Sequence, residues 1–512
     1  MENKRMELNI FFEAVDSING YQRHLLSEID EAVHFERCVC TVKGAGEDEG
    51  YGEKYTPIDY DICEHNRYDE ICDLNELIPL DRDILEKMQP YESLAMKMLV
   101  RNMERDVYTY EECKELYLRH LRFWNHIFVT NNINYVVQVC VPHHCHDYVI
   151  YALAKIHKCG IMVNVATSIW NHWIPVSDLE NCNHEIVKSY EQTRRQESVQ
   201  LSDFVEHYYQ SLLIDSNKTD QNLLYAGIDR KKHINNQKRV YREYFSLKRR
   251  WKRKKHLVKC MIINPNGECN SRRGYFDALR NDYFLNKRGR IKQHQMKSIK
   301  YYESKAVVPS FDRKYVIYYL QYQPEATTLP MAGVFVEQEL VIALLADALN
   351  KLGIELWVKE HFVQPYRSKN FYDALASIPN VTLIKSTVDS KILMQHSIAT
   401  ATCNGTIVQE SIFNNKSVLI FGYGLFNGAP GTYPCRNEQD IVQAIDDISQ
   451  KEISQHDVRA FLKAFEQHAV HTNIYLSNRN RKCDISAEES RENIRKAVIE
   501  RIQKYCKDNG EQ

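Results

Sequence analysis

Between Tyr315 and Phe421 the chain alternates short apolar runs with stretches of helical spacing, and no other feature restricts the fold so strongly. Strand-length runs occur at Tyr315-Val-Ile-Tyr-Tyr-Leu, Ile354-Glu-Leu-Trp-Val-Lys, Val381-Thr-Leu-Ile, Ile398-Ala-Thr-Ala-Thr and Ser417-Val-Leu-Ile-Phe. Residues 338–352, 370–378, 390–396 and 406–414 between them read as helices. Such an order specifies a doubly wound parallel sheet.

A weaker copy of the pattern lies upstream. Glu7-Leu-Asn-Ile-Phe-Phe reads as a strand and 21–34 as a helix. Asn134-Tyr-Val-Val-Gln-Val-Cys-Val reads as a strand stopped by Pro142, 148–157 as a helix, and Gly160-Ile-Met-Val-Asn-Val-Ala as the next strand. That is a βαβ unit. Residues 91–127 have helical spacing, whereas 41–90 are acidic and irregular and predict loops or an insertion. The expected architecture is α/β, with two Rossmann-like domains facing across a cleft. The expected divisions are 1–228, a basic helical segment 229–310, a second α/β domain 311–480 and a closing helix 481–512.

Composition narrows the function classes. Lys+Arg number 67 against 68 Asp+Glu, so a surface that wraps nucleic acid throughout is excluded. The positive charge is local: 230–255 holds thirteen Lys or Arg and one acid, Glu243. Its sparse aromatic residues disfavour single-strand stacking, so no nucleic-acid partner is expected. The remaining readings are a solvated helix face or peripheral contact with an anionic membrane. The charged start, the scattered cysteines and the lack of a long apolar stretch predict a cytoplasmic protein with reduced thiols.

Ligands of open α/β sheets gather at the carboxyl ends of the strands, and three clusters fall there. In Asn404-Gly-Thr-Ile-Val-Gln-Glu410, Gly405 permits a tight turn, Thr406 opens a helix whose free N–H groups can hold a phosphate, and Glu410 on the same face can accept from ribose hydroxyls. A capped helix with a salt-bridged Glu is the plain reading of the same residues. Lys359 and His361 alternate at a strand end and suit an anionic ligand, or are a surface Lys and a satisfied His. Glu325, in Gln321-Tyr-Gln-Pro-Glu-Ala-Thr-Thr328, is a candidate base or a turn carboxylate. In the first region His143, His144, Cys145 and His146 match no common zinc spacing, so no metal is expected. They read better as a polar patch facing the cleft, with Asp147 as its carboxylate.

Residues 315–440 resemble the capsule polysaccharide biosynthesis family, which includes Kdo transferases. The matching segments are Tyr322-Gln-Pro-Glu-Ala-Thr-Thr-Leu-Pro330, Trp357-Val-Lys-Glu-His361, Asn380-Val-Thr-Leu-Ile384, Asn404-Gly-Thr with Glu410, and Lys416-Ser-Val-Leu-Ile-Phe-Gly422. The resemblance implies a GT-B-like glycosyltransferase whose second domain holds a nucleotide-sugar donor, CMP-linked in the acidic-sugar enzymes, with no permanently bound cofactor. It implies donor contacts at Gln323, Lys359, His361, Asn404, Gly405, Thr406 and Glu410. Glu325 and Asp147 are then the candidate catalytic residues beside a glycan or glycolipid acceptor. Phe362 stands where the pattern has proline and Gln321 where it has histidine. Those departures motivate the alternative of a non-catalytic scaffold in polysaccharide assembly, and the two-domain fold leaves a sugar-nucleotide epimerase as another.

Overall fold

The computed structural model describes residues 7–15, 23–42, 53–99, 109–169, 171–214, 251, 255, 298–323, 325–361, 367–472 and 485–510. The basic segment 230–255 apart from Trp251 and Lys255, together with Pro324 and Phe362, lies outside the described residues.

Two sheets organise the chain. The first is built on β1 (Asn9–Val15), β2 (Arg37–Val42), β3 (Tyr55–Asp59), β4 (Tyr135–Gln138), β5 (Gly160–Ala166) and β6 (His172–Val176). The second comprises β7 (Tyr315–Tyr319), β8 (Glu355–Lys359), β9 (Val381–Ile384), β10 (Ala399–Thr402), β11 (Val418–Ile420) and β12 (Thr432–Pro434). A short β13, Val470–His471, returns to the first sheet. The strand orders are β13-β6-β5-β4-β1-β2-β3 and β12-β11-β10-β7-β8-β9. Every pairing in the second sheet is parallel. In the first, β6 and β13 run antiparallel at one edge.

The central strands are buried on both faces, as parallel sheets covered by helices require. β7 carries Tyr315 and Ile317 to one face, where Tyr315 stacks on Trp357 at 3.5 Å between ring centroids. Val316 and Tyr318 point to the other face, into a core shared with Val341, Leu345 and Leu349 of the Gln338–Lys351 helix.

Three expectations about organisation are corrected. Within 41–90, where 43–52 lie outside the described residues, 53–90 are not an irregular insertion. They supply the edge strand β3, the Tyr60–Glu64 helix and the start of the Arg82–Leu99 helix, and Ile58, Ile62, Tyr68 and Leu77 are buried in the first core. The domain boundary at 311 falls too late. A helix over 298–305 packs on the second sheet, where the Tyr302 hydroxyl accepts from the Glu360 amide, and Val307 bridges to Ile384. The boundary at 480 is also late. The Gln455–His468 helix packs on the His184–Thr193 helix of the first lobe, with Tyr190 and Phe461 rings 5.5 Å apart. The physical reason is that Phe461 and Phe465 are buried in a cluster that joins Tyr190 of the first lobe to Phe426 of the second. The closing helix, Ala487–Gly510, also rests on the first lobe through Val498 and Ile502. No described helix is long and apolar enough to cross a membrane.

Candidate functional site

The carboxyl edges of the two sheets face each other. Ser168, just past β5, donates its hydroxyl to Oε1 of Gln409, in the Ile407–Phe413 helix that follows β10. The Tyr208 hydroxyl of the first lobe donates to the same oxygen. Nearby, Nδ2 of Asn183 donates to the carbonyl of Asn427 at 2.5 Å. Gln409 lies in the helix after β10, the strand end at which the sequence placed the 404–410 cluster.

On the second lobe one hydrogen-bonded chain joins the ends of β8, β7 and β10. The His361 amide donates to Oε1 of Glu360 at 2.7 Å. The same carboxylate receives Nη1 of Arg367 at 2.5 Å and the Tyr372 hydroxyl at 2.7 Å. Nη2 of Arg367 donates to the Gln321 carbonyl at 2.5 Å. Gln321 closes the chain: its Nε2 donates to Oγ1 of Thr402 at 2.6 Å and to the carbonyl of Asn404. His361 and the 404–406 turn therefore sit on one edge, on opposite sides of β7, tied through Gln321.

The turn has the conformation its glycine permits. Gly405 has φ +106°, and a Cβ there would lie 3.0 Å from Nε2 of Gln321. Asn404 serves the turn itself: Oδ1 accepts from the Gly405 amide at 2.7 Å and Nδ2 donates to the Tyr423 carbonyl at 2.5 Å. Thr406 is exposed. Burial raises the Glu410 carboxyl above its ordinary range, and a hydrogen bond from Thr406 opposes the shift.

Two expected roles are not what the geometry shows. Lys359 does not project from the edge. Its ammonium is buried, donating to the Val388 carbonyl and, at 2.9 Å, to Oγ of Ser390, because residue 359 alternates away from the Glu360 side. His361 is not cationic near neutrality, since burial, reinforced by the Arg367 charge, pushes it down to about 4. Its ring stands 5.8 Å from that of Tyr322. Gln323 holds the loop after β7 by donating to the Val336 carbonyl at 2.5 Å. Glu325 opens a tight turn in which its carbonyl accepts from the amides of Thr328 and Leu329.

On the first lobe Asp147 lies in the first turn of the Cys145–Ile156 helix, with its two carboxylate oxygens accepting from the amides of His143 (3.0 Å) and His144 (2.8 Å). Beside it stands a carboxylate that sequence reasoning missed. Glu13, near the end of β1, is buried, and its Oε2 accepts from the Val139 amide at 3.0 Å. The β1–β4 register, with Phe12 opposite Val137, puts Glu13 next to Gln138. Burial, then the Asp147 charge, raises the Glu13 carboxyl well above its usual range. The signal was present as one acid inside Asn9-Ile-Phe-Phe-Glu-Ala-Val. Glu360 and Arg367 were missed because no local pattern marks a pairing between residues seven apart in sequence.

Two α/β lobes with facing carboxyl edges, closed by a C-terminal helix that crosses back to the first lobe, define a GT-B-like architecture. No family model matches the chain, and no curated protein matches it in sequence. Among solved structures it is similar to the β-Kdo 2,7 transferase KpsC of Thermosulfurimonas dismutans, at 14% identity and a TM-score of 0.23 over 40% of this chain. That match spans 61% of the transferase. It is also similar to the UDP-GlcNAc 2-epimerase of Methanocaldococcus jannaschii, at 11% identity and TM-score 0.22, covering 96% of this chain and 99% of that one. A UDP-glucosyltransferase from Polygonum tinctorium gives 8% identity and TM-score 0.20, with 97% and 99% covered.

Proposed function

We propose that the protein is a nucleotide-sugar-dependent glycosyltransferase of bacterial surface-polysaccharide synthesis, passing Kdo or another acidic sugar to a glycan or glycolipid acceptor. The observation that carries this reading is the Ser168–Gln409 bond, which sets the carboxyl edges of both lobes against each other. A donor on the second edge then presents its sugar toward the buried acids of the first.

In this reading the amides of the Gly405–Thr406 turn and the Thr406 hydroxyl meet the donor phosphate. Glu410 receives ribose hydroxyls, and neutral His361, beside Tyr322, donates or accepts at the phosphate or base. Lys359 supports this edge from behind, through the start of the Ser390–His396 helix, and does not pair with the phosphate. Glu325 lies on the acceptor or reacting-sugar side of the same edge. Asp147 fixes the first-lobe turn, and Glu13 is the acid beside it. Positioning and fixed dipoles supply the stabilisation of the leaving nucleotide. The reaction runs on the cytoplasmic side, where 230–255 reaches anionic lipid.

The test is to incubate purified protein with CMP-Kdo and a panel of UDP- and GDP-sugars, with and without membrane glycolipid, and to follow products by mass spectrometry. Donor consumption that requires acceptor is expected, and Thr406→Val with Glu410→Ala should abolish it. Conversion of the donor sugar without acceptor would instead identify an epimerase. Absence of nucleotide binding by calorimetry would leave a scaffold.

A further inference from the structure

Gln321 stands just past β7, where the family pattern has histidine, and it is buried. Its main chain is clamped from two elements. The Gln321 amide donates to Oε1 of Gln338 at 2.8 Å, and its carbonyl accepts from Nε2 of Gln338 at 3.3 Å and from Nη2 of Arg367 at 2.5 Å. Gln338 opens the Gln338–Lys351 helix, and Arg367 is itself held by Glu360. From this fixed backbone the side chain crosses to the end of β10. There Nε2 donates to Oγ1 of Thr402 at 2.6 Å and to the carbonyl of Asn404. Thr402 closes the triangle by donating from Oγ1 to the same carbonyl at 2.8 Å. The amide also abuts the next residue: a Cβ on Gly405 would lie 3.0 Å from Nε2 and 3.6 Å from Oε1. One side chain therefore grips the carbonyl on which the turn begins and leaves little room for a side chain at its second position.

We propose that Gln321 is the positioning residue of the 404–406 turn, holding it in the shape that receives the donor nucleotide. The role rests on the reading of that turn as a donor contact, and Gln321 acts through the turn. The chemistry of the amide explains why glutamine suits the place. Its single nitrogen carries two protons and directs them to two acceptors that are 2.8 Å from each other. A neutral imidazole carries one N–H, so a histidine here would hold either Thr402 or the Asn404 carbonyl, not both. The departure from histidine is in this light an exchange of one holder of the turn for a firmer one, and it does not mark a dismantled site.

The experiment compares the full-length parent with Gln321→Met and Gln321→His. Methionine keeps the length of the side chain and removes both donors. The fold should survive it, as a melting curve checks, because Thr402 still donates to the Asn404 carbonyl and the clamps from Gln338 and Arg367 use main-chain atoms. Calorimetry with CMP and with UDP reads nucleotide affinity, and hydrogen exchange followed by mass spectrometry reads the peptide that spans 404–406. Gln321→Met should weaken the nucleotide that the parent binds by roughly tenfold, the effect of losing one or two hydrogen bonds. Exchange should quicken at 404–406 more than in the strands of either sheet. Gln321→His restores one donor and should recover part of the affinity, which filling the same space with methionine does not. Parent-like affinity and exchange in Gln321→Met would overturn the role alone, as would a histidine variant no better than the methionine one. A parent that binds neither nucleotide would overturn the donor reading and this role together.

Discussion

Gln409 and Ser168 lie 241 residues apart in sequence and share a hydrogen bond at the junction of the two lobes, where Gln409 also receives the Tyr208 hydroxyl. The same helix carries Glu410, so the edge assigned to the donor is fastened directly to the lobe assigned to the acceptor. Gln409→Ala removes the acceptor shared by the Ser168 and the buried Tyr208 hydroxyls. A loss of about 1–3 kcal/mol is expected in urea unfolding, because an unmet buried polar group costs its desolvation. An unchanged midpoint would show that the lobes are held by other contacts.

Gly405→Ala places a side chain at φ +106°, in contact with the Gln321 amide. Backbone strain of about 1–3 kcal/mol is expected. The turn should lose its shape before the fold is lost, so nucleotide affinity should fall more than thermal stability does. Calorimetry and a melting curve on the same sample compare the two.

Arg367→Met leaves the Glu360 carboxylate buried with only the Tyr372 hydroxyl and the His361 amide. Both side chains are nearly inaccessible, at 4% and 5%. Removing one partner of such a pair costs about 3–5 kcal/mol. The double variant Glu360→Gln, Arg367→Met should recover part of that loss, and a denaturant series on the four proteins reads the coupling.

Acid should weaken the protein before its surface carboxylates protonate. Burial pushes His120 down to about 3, and burial with Arg367 pushes His361 down to about 4. The unfolded chain takes up these protons near pH 6.5 while the folded one refuses them, so stability present above pH 6.5 declines as pH falls toward 4. His120→Gln, which keeps a polar partner for Tyr68, should flatten that slope in unfolding measured from pH 7 to pH 4.5.

Glu13 acts with the opposite sign. Its folded carboxyl holds a proton after the unfolded one has released it, so its contribution is complete below the ordinary carboxylate range. That contribution is lost as pH rises toward the folded value. Glu13→Gln mimics the protonated form. It should be relatively more stable than the parent at high pH than at pH 4, and the carboxyl carbon shift of labelled Glu13 should titrate late.

Most secondary structure was legible along the chain. β5 and β9 fall on the runs 160–166 and 381–384, and the Ser390–His396 helix on its own stretch, because parallel strands buried on both faces leave uninterrupted apolar runs. The acidic stretch before residue 90 misled because β3 is an edge strand with only one well-buried residue, Ile58, so its apolar signal is faint. That the candidate residues stand at strand ends was also legible, since it follows from sheet topology.

Side-chain assignments within the site were less so. Sequence marks Lys359 and His361 as candidates of equal promise and passes over Glu360 between them. It does not show that Lys359 is spent on the Val388–Ser390 segment, or that Glu360 is captured by Arg367. Glu13 looks like a stray charge in a strand until Asp147 arrives beside it from 134 residues away.

The sequence by itself determined that two parallel-sheet lobes would form and which strand ends would carry the polar residues, because periodicity and apolar runs are local properties. Only the tertiary structure decided which polar groups meet: the helix after β10 against Ser168 and Tyr208, the Gln455–His468 helix on the first lobe, and Glu64 beside His144. Those choices depend on burying particular faces, such as Phe461 and Phe465, against partners hundreds of residues distant, and no local pattern encodes such a partner.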